Sequence, residues 1–234
     1  MMWKLMKLEW KKNNLKKYIV KAAAVTVILF LLLFMTSGEL ESKETVEIYG
    51  QSMIYAAIKM FADSCFILCT GVMLASVIIS AYRDKTMGLM FSYPIKRQKI
   101  LFSQMLVVWI FNFVALVLCK LFLFGVFFLL GNWTGIALQG ITSGEIFGQV
   151  AFWLELAMDS AAMVSISYVV LFVGMRAKSS KAAILTSFLV IVLTQGNIGS
   201  YTLINNVPFY LALTVLAAVS VFLCVYKIEE RDVV

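Results

Sequence analysis

Six apolar stretches alternate along the chain with polar, charged or turn-rich connections. A helix needs about 20 mostly apolar residues to cross roughly 30 Å of hydrocarbon, and most of these runs meet that length. They predict transmembrane helices over about Ile19–Met35, Ala62–Ala81, Ile100–Leu121 or somewhat beyond, and Gly148–Met175, the last interrupted by Glu155 and Asp159. From Ala182 to Tyr226 no charge occurs, yet Gln195-Gly196-Asn197 and Asn205-Asn206-Val207-Pro208 punctuate the run with turn formers. Two further spans joined by an outer hairpin are expected there. The fifth run is short before its polar break, so Ile198–Leu203 reads as a re-entrant or interfacial piece, which a bilayer tolerates only where protein shields the backbone.

Ahead of the first run, Met2, Trp3, Leu5, Met6 and Trp10 share one arc at helical angles, with Lys4, Lys7 and Lys11 opposite. Glu9 intrudes on the apolar arc and Leu8 falls off it. The pattern predicts an amphipathic helix over residues 2–17 lying in the headgroup plane, with indoles at the interface. A secretory signal would share the basic start and apolar stretch. Met35-Thr-Ser-Gly lacks an Ala-x-Ala-like cleavage site, however, and the first span is expected to be retained.

Composition agrees with a bilayer: 62% hydrophobic and 14% charged residues, with a mean hydropathy of +0.93, exceed what a soluble globule of 234 residues can bury. Charge then orients the spans. Seven lysines from Lys4 to Lys21 precede the first run, Arg83, Lys85, Lys96, Arg97 and Lys99 lie between the second and third, Arg176, Lys178 and Lys181 between the fourth and fifth, and Lys227 and Arg231 after the sixth. The alternate connections carry Glu39, Glu41, Glu44, Glu47 and Glu145 against Lys43 and, beside the start of the second run, Lys59. Retention of Lys and Arg on the inner side places both termini in the cytoplasm. The expected fold is an all-α integral membrane protein of six transmembrane helices. A net charge of +7 is thereby assigned to topology and anionic lipid headgroups, with no nucleic-acid partner.

Absences narrow the chemistry. No histidine occurs, which excludes histidine-dependent intramembrane proteases, di-haem carriers and His-ligated metal enzymes. The four cysteines, Cys65, Cys69, Cys119 and Cys224, form no Cys-x-x-Cys pair and read as small buried hydrophobes, not metal ligands. No Gly-x-x-x-x-Gly-Lys-[Ser/Thr] loop is present, so uphill transport would need a partner or an ion gradient.

The connection between the second and third spans is neither minimal nor a plain basic linker. Arg83-Asp84-Lys85 opens it, Gly88 relaxes the backbone, Leu89, Met90 and Phe91 are large and apolar, and Pro94 ends any helix because it lacks an amide donor and restricts Tyr93. Exposed apolar groups between cationic ends describe a docking knob, or else a loop whose apolar residues dip into the interface. Here the chain resembles the permease subunits of ABC-2 type ATP-binding-cassette exporters. Their pattern is an acidic residue, Gly or Thr, a hydrophobic stretch, then Pro, a hydrophobic residue, a small or polar residue, Arg and a hydrophobic start to the third span. Asp84, Thr86, Gly88, Leu89, Pro94, Ile95, Lys96, Arg97 and Ile100 match it; Asp84 stands where the family more often has Glu, and Thr and Gly are exchanged in order. The whole layout is similar too.

The resemblance implies one permease domain over residues 1–234, a cytoplasmic coupling loop over 81–99 and a polar break over 195–207. It implies pairing with a second six-span half and two cytosolic ATPase subunits, in a bacterial cell membrane. ATP and Mg would be held by the ATPase; no cofactor, metal or catalytic residue is expected on this chain, which would not be an enzyme. Tyr82, Arg83, Asp84, Lys85, Gly88, Leu89, Phe91, Pro94, Lys96 and Arg97 would form the ATPase-coupling interface. The substrate implied is hydrophobic or amphipathic, an antimicrobial peptide or a drug.

Two more groups of residues are candidates. Asp63 lies eighteen residues before Ala81, Lys120 twenty after Ile100 and Asp159 sixteen before Met175; at about 1.5 Å per residue this puts them roughly 24 to 30 Å from the inner ends of their helices. Lys59 and Glu155, one turn further out, complete a possible charge layer on the pathway, with Lys120 between two carboxylates; the alternative is that each side chain snorkels to outer water. Gln195, Gly196, Asn197, Gly199, Asn205 and Asn206 make a candidate outer gate, or a solvated hairpin. Two rival classes fit the layout: a vitamin-capturing subunit of an energy-coupling transporter, which would dock through small-residue helix faces, and a non-transporting scaffold or sensor, which would not need charges within its spans. The docking reading predicts that Leu89→Ser with Phe91→Ser detaches the ATPase or uncouples transport while membrane insertion persists. Pull-down of the ATPase from detergent extracts measures this, and undiminished binding and transport contradict it.

Overall fold

Long apolar runs become long helices, because lipid or protein surroundings offer the backbone no water and helical bonding satisfies it internally. The computed structural model of the chain describes Met6, Leu8, Trp10 and residues 16–40, 53–80, 97–134, 148–198, 201–202 and 207–226. Within these, α1 spans Lys16–Leu40, α2 Met53–Leu74 with a π-helical continuation over Ala75–Ile79, and α3 Arg97–Thr134. Then come α4 (Val150–Ile166), α5 (Val169–Ala177), α6 (Ser180–Gln195), the two-residue strands β1 (Asn197–Ile198) and β2 (Tyr201–Thr202), and α7 (Val207–Tyr226).

Four segments are long and apolar enough to cross a membrane: Lys16–Ser37, Ile54–Ile79, Gln98–Leu130 and, taken across its break, Val150–Ala177. Ser180–Gln195 and Leu211–Cys224 are shorter apolar helices. Apart from the β1–β2 pair, the described residues form an all-helical chain with the length and apolarity of a membrane protein. Hydroxyls inside these helices are satisfied locally: Thr70, Thr186, Ser187 and Thr194 each donate to the carbonyl four residues back.

The elements depart from the sequence expectations in three places. The second helix begins at Met53, not Ala62, and the third continues to Thr134; Lys59, Asp63 and Lys120 find partners on neighbouring helices, so their charges do not end the helices that carry them. The fourth run is broken. Tyr168 N–H donates to Ser165 O and Val170 N–H to Ser167 O, three residues back, while Ser167 Oγ donates to Val164 O and satisfies that carbonyl. The polar break after Gln195 closes as a small antiparallel pair, Asn197 opposite Thr202 and Ile198 opposite Tyr201.

The chain forms two compact units. The first comprises Met1–Lys16, Phe66–Phe113 and Ala162–Val234. In it, α5 packs on α6 and α7, and the π-helical turn packs on α5 and α6. Lys178 takes the left-handed conformation (φ 47°) at the end of α5, the Ser179 N–H bonds back to Gly174 O, and Ser179 Oγ accepts from the Ala182 N–H to start α6. The chain therefore folds straight back. Close packing depends on Gly174, where an added Cβ would lie 2.3 Å from Ile79 Cδ1 and 3.0 Å from Ala183 Cβ. The Trp10 ring meets Phe111 edge-on at 6.2 Å. Of the helix expected over residues 2–17, Met6, Leu8, Trp10, Lys16 and Lys17 are described, all helical, the last two opening α1.

The second unit comprises Lys17–Cys65 and Val114–Ala161, and its core joins α1 to α3 through the Phe30–Phe127 ring pair at 6.0 Å. Gly125 in this unit has open space where a Cβ would stand. Gly174→Val should therefore lower stability by about 1–3 kcal/mol through overpacking, whereas Gly125→Ala should be neutral or slightly stabilising. Thermal unfolding of the two purified variants in the same detergent checks the contrast.

Candidate functional site

The second unit holds an ion cluster inside apolar helices. Lys59 and Asp63 stand four residues apart on α2, and Glu155 and Asp159 four apart on α4, so each pair shares a helix face. Lys120 of α3 lies between the two faces, its Nζ 2.6 Å from Asp63 Oδ1 and 2.7 Å from Asp159 Oδ2. Lys59 Nζ lies 2.9 Å from Glu155 Oε1. The contact with Asp159 is a hydrogen bond as well as an ion pair; the contact with Asp63 is an ion pair without hydrogen-bond alignment.

Burial is graded through the cluster: Lys120 is completely buried and the Asp63 side chain is 3% exposed, Asp159 and Lys59 follow at 17% and 22%, and Glu155 is 56% exposed. Lys120 thus reaches no water and does not snorkel. Lys59 and Glu155 are the wetter pair, worth little by themselves. The inner triad carries two carboxylates for one ammonium, and its cohesion rests on their proximity in a medium where an unpaired charge costs several kcal/mol.

The pairing also fixes helix direction. Lys59 meets Glu155 while Asp63 and Asp159 share Lys120, so α2 and α4 run the same way through the site. α3 runs against them: one turn beyond Lys120, the Phe124 ring stacks on Tyr55 of α2 at 5.0 Å and meets Phe152 of α4 edge-on at 5.8 Å. These three rings cover one side of the triad, and Lys59 Nζ sits 5.8 Å from the Tyr55 ring centroid. Tyr55, Phe124 and Phe152 are functional candidates that the charge argument passed over. Their signal was present, each aromatic standing three or four residues from a member of the cluster.

The other predicted residues divide. Gln195 ends α6, and Gly196 turns the chain away at a point where a Cβ would meet Val192 O at 2.3 Å, so the turn needs glycine. Asn197 lies in β1. Both amide atoms of Gln195 are buried with no hydrogen-bond partner among the described residues. Gly199, Asn205 and Asn206 lie outside the described residues, as do Tyr82, Arg83, Asp84, Lys85, Gly88, Leu89, Phe91, Pro94 and Lys96; Arg97 begins α3. Cys119 and Cys224 are buried free thiols, and no group of three or more metal-ligating side chains occurs among the described residues.

No protein-family model and no solved structure matches the chain. It is similar to an uncharacterized protein of Bacillus subtilis (strain 168), YcbO, at 24% identity over 228 residues, covering 97% of this chain and 99% of that protein.

The triad makes a specific energetic prediction. Lys120→Met strands the buried carboxylate of Asp63 and the partly buried one of Asp159 and should cost about 3–5 kcal/mol. Adding Asp63→Asn should return part of that loss, with a coupling of about 0.5–3 kcal/mol, while Glu155→Gln alone should cost no more than about 1 kcal/mol. A double-mutant cycle by thermal unfolding in detergent reads the coupling, and strict additivity of Lys120→Met and Asp63→Asn would contradict the assigned pair.

Proposed function

We propose that the chain is the membrane-spanning permease subunit of an exporter driven by a separate cytosolic ATPase. In this reading six spans place both termini in the cytoplasm of a bacterial cell, the first sixteen or so residues lie in the inner interface, and residues 81–99 receive the ATPase. The observation that carries the reading of a pathway is the buried Lys120 between Asp63 and Asp159. Charges within apolar helices are costly and are kept where a polar route or ligand needs them. The resemblance of the segment from Asp84 to Ile100 to ABC-2 permeases supplies the energy source. A bacterial relative matching almost end to end suits the location.

In mechanism, the triad is a resident cation–carboxylate contact that a passing cationic group can replace. With two carboxylates to one ammonium, an amine or guanidinium entering the site gains a partner at Asp63 or Asp159 as Lys120 releases it. Tyr55, Phe124 and Phe152 offer aromatic surface to the apolar part of the same molecule, which fits a cationic amphipathic peptide or drug. The Gln195–Asn206 segment serves as the outer gate. ATP-driven closure of the partner ATPases would act through Leu89 and Phe91.

Asp159→Asn should accordingly reduce efflux of a cationic amphipathic substrate at least tenfold while membrane expression stays within about twofold of the parent chain. The experiment expresses the chain with an ATPase of the phosphate-loop class that copurifies with it and follows peptide or dye efflux from cells. Efflux that falls only in proportion to expression would remove the triad from the pathway. Failure to recover any such ATPase with the chain would favour the scaffold or sensor reading.

A further inference from the structure

The first unit contains a cavity of about 410 Å³, within the size range of ligand sites, bounded by α3, the α4–α5 break and α7. On α3, Phe102, Met105, Leu106 and Trp109 line it at helical spacing; α7 answers with small side chains, Ala217 and Ala218 among them, and the space is what those methyl groups leave unfilled. The helix break supplies the third wall. Trp109 Nε1–H donates to Ser165 Oγ at 3.2 Å, and Tyr168 Oη–H donates to Met105 O at 2.6 Å. Each aromatic proton is therefore engaged within the protein, and the rings are held from swinging into the gap. What the walls offer an occupant is hydrocarbon and aromatic face.

The other end of the occupant follows from charge. Lys99 is exposed and lies one helical turn before Phe102, on the side of α3 that continues into Leu106. No acidic residue occupies the first turn of that helix, whose amide dipoles favour an anion. The described residues of the first unit include Lys16, Arg97, Lys99, Arg176, Lys178 and Lys181, and no Asp or Glu. An apolar slot whose lining begins on α3 at Phe102, one turn from the exposed Lys99, fits a molecule with a hydrocarbon tail and an anionic head.

We propose that this cavity binds an acyl chain of an anionic phospholipid, with the phosphate of its headgroup at Lys99. The proposal rests on α3 crossing the membrane and not on export, so its failure would leave the ATPase-driven reading standing. Trp109 lines the cavity and reports on it. A full-length variant with Trp3, Trp10, Trp133 and Trp153 changed to Phe is reconstituted in phosphatidylcholine vesicles, and phosphatidylglycerol or phosphatidylcholine brominated on one acyl chain is added as a minor component. Brominated phosphatidylglycerol should quench Trp109 at a roughly fivefold lower mole fraction, the effect of about one lysine at an anionic surface. Lys99→Gln should remove that preference while leaving quenching by phosphatidylcholine intact, and Ala218→Leu, which fills the space, should weaken quenching by both lipids. Native mass spectrometry of the unsubstituted chain, released from mixed micelles of the two lipids, should show phosphatidylglycerol retained. Equal quenching and equal retention of the two lipids would overturn the proposal, as would a preference that Lys99→Gln leaves unchanged.

Discussion

A single ammonium group held by two carboxylates inside apolar helices organises the second unit. Lys120 has no access to water, and without it the carboxylates of Asp63 and Asp159 would lose the ammonium that lies between them. Each of three helices therefore carries a residue that is unfavourable alone and acceptable only when the other two are in place. Such a constraint specifies geometry more sharply than apolar packing does, because leucines can slide past one another by a turn and still be buried, whereas an ion pair displaced by a turn is lost. The Lys59–Glu155 contact repeats the same offset between α2 and α4 and adds a second check on register.

Around that constraint, the remaining polar groups are handled locally. Helix hydroxyls return to carbonyls of their own helix, the break between α4 and α5 is closed by three-residue hydrogen bonds and by Ser167, and the Tyr168 hydroxyl reaches a backbone oxygen of α3. Small residues then permit close approach, Gly174 against Ile79 and Gly71 against Ser187. Extra length in α2 is absorbed as a π-helical turn over Ala75–Ile79, in which Ala75, Val77, Ile78 and Ile79 are all buried. The exceptions among the described residues are Ser103, Gln104, Ser160 and Gln195, each with buried side-chain atoms that have no hydrogen-bond partner.

Much of this was legible in the chain. Apolar length predicted the helices, and depth counting from helix ends predicted that Asp63, Lys120 and Asp159 could meet, since rise per residue is nearly constant in an uninterrupted helix. The places where counting fell short have local causes. Lys59 and Asp63 look like a boundary to a hydropathy scan, because a scan cannot know that a charge has a partner on another helix. Ser165, Ser167 and Tyr168 are too few and too mild to interrupt an apolar average, yet the Ser167 hydroxyl satisfies the Val164 carbonyl at the break and the other two hydroxyls bond to α3. The cavity is invisible for a related reason: it arises from small α7 residues facing large α3 ones, a pairing that only the packed structure defines.

Charge sorts between the two units in a way that decides what each can recognise. Every described acid, namely Glu39, Asp63, Glu155 and Asp159, belongs to the second unit, and the described residues of the first carry only basic charge. Retention of cations at one membrane surface would account for such a bias, and the bias has a chemical consequence. Among the described residues the apolar slot of the first unit has no carboxylate beside it, a setting that favours a phosphate over an amine. A buried site with two carboxylates for one ammonium does the reverse, since an anion there would meet uncompensated repulsion.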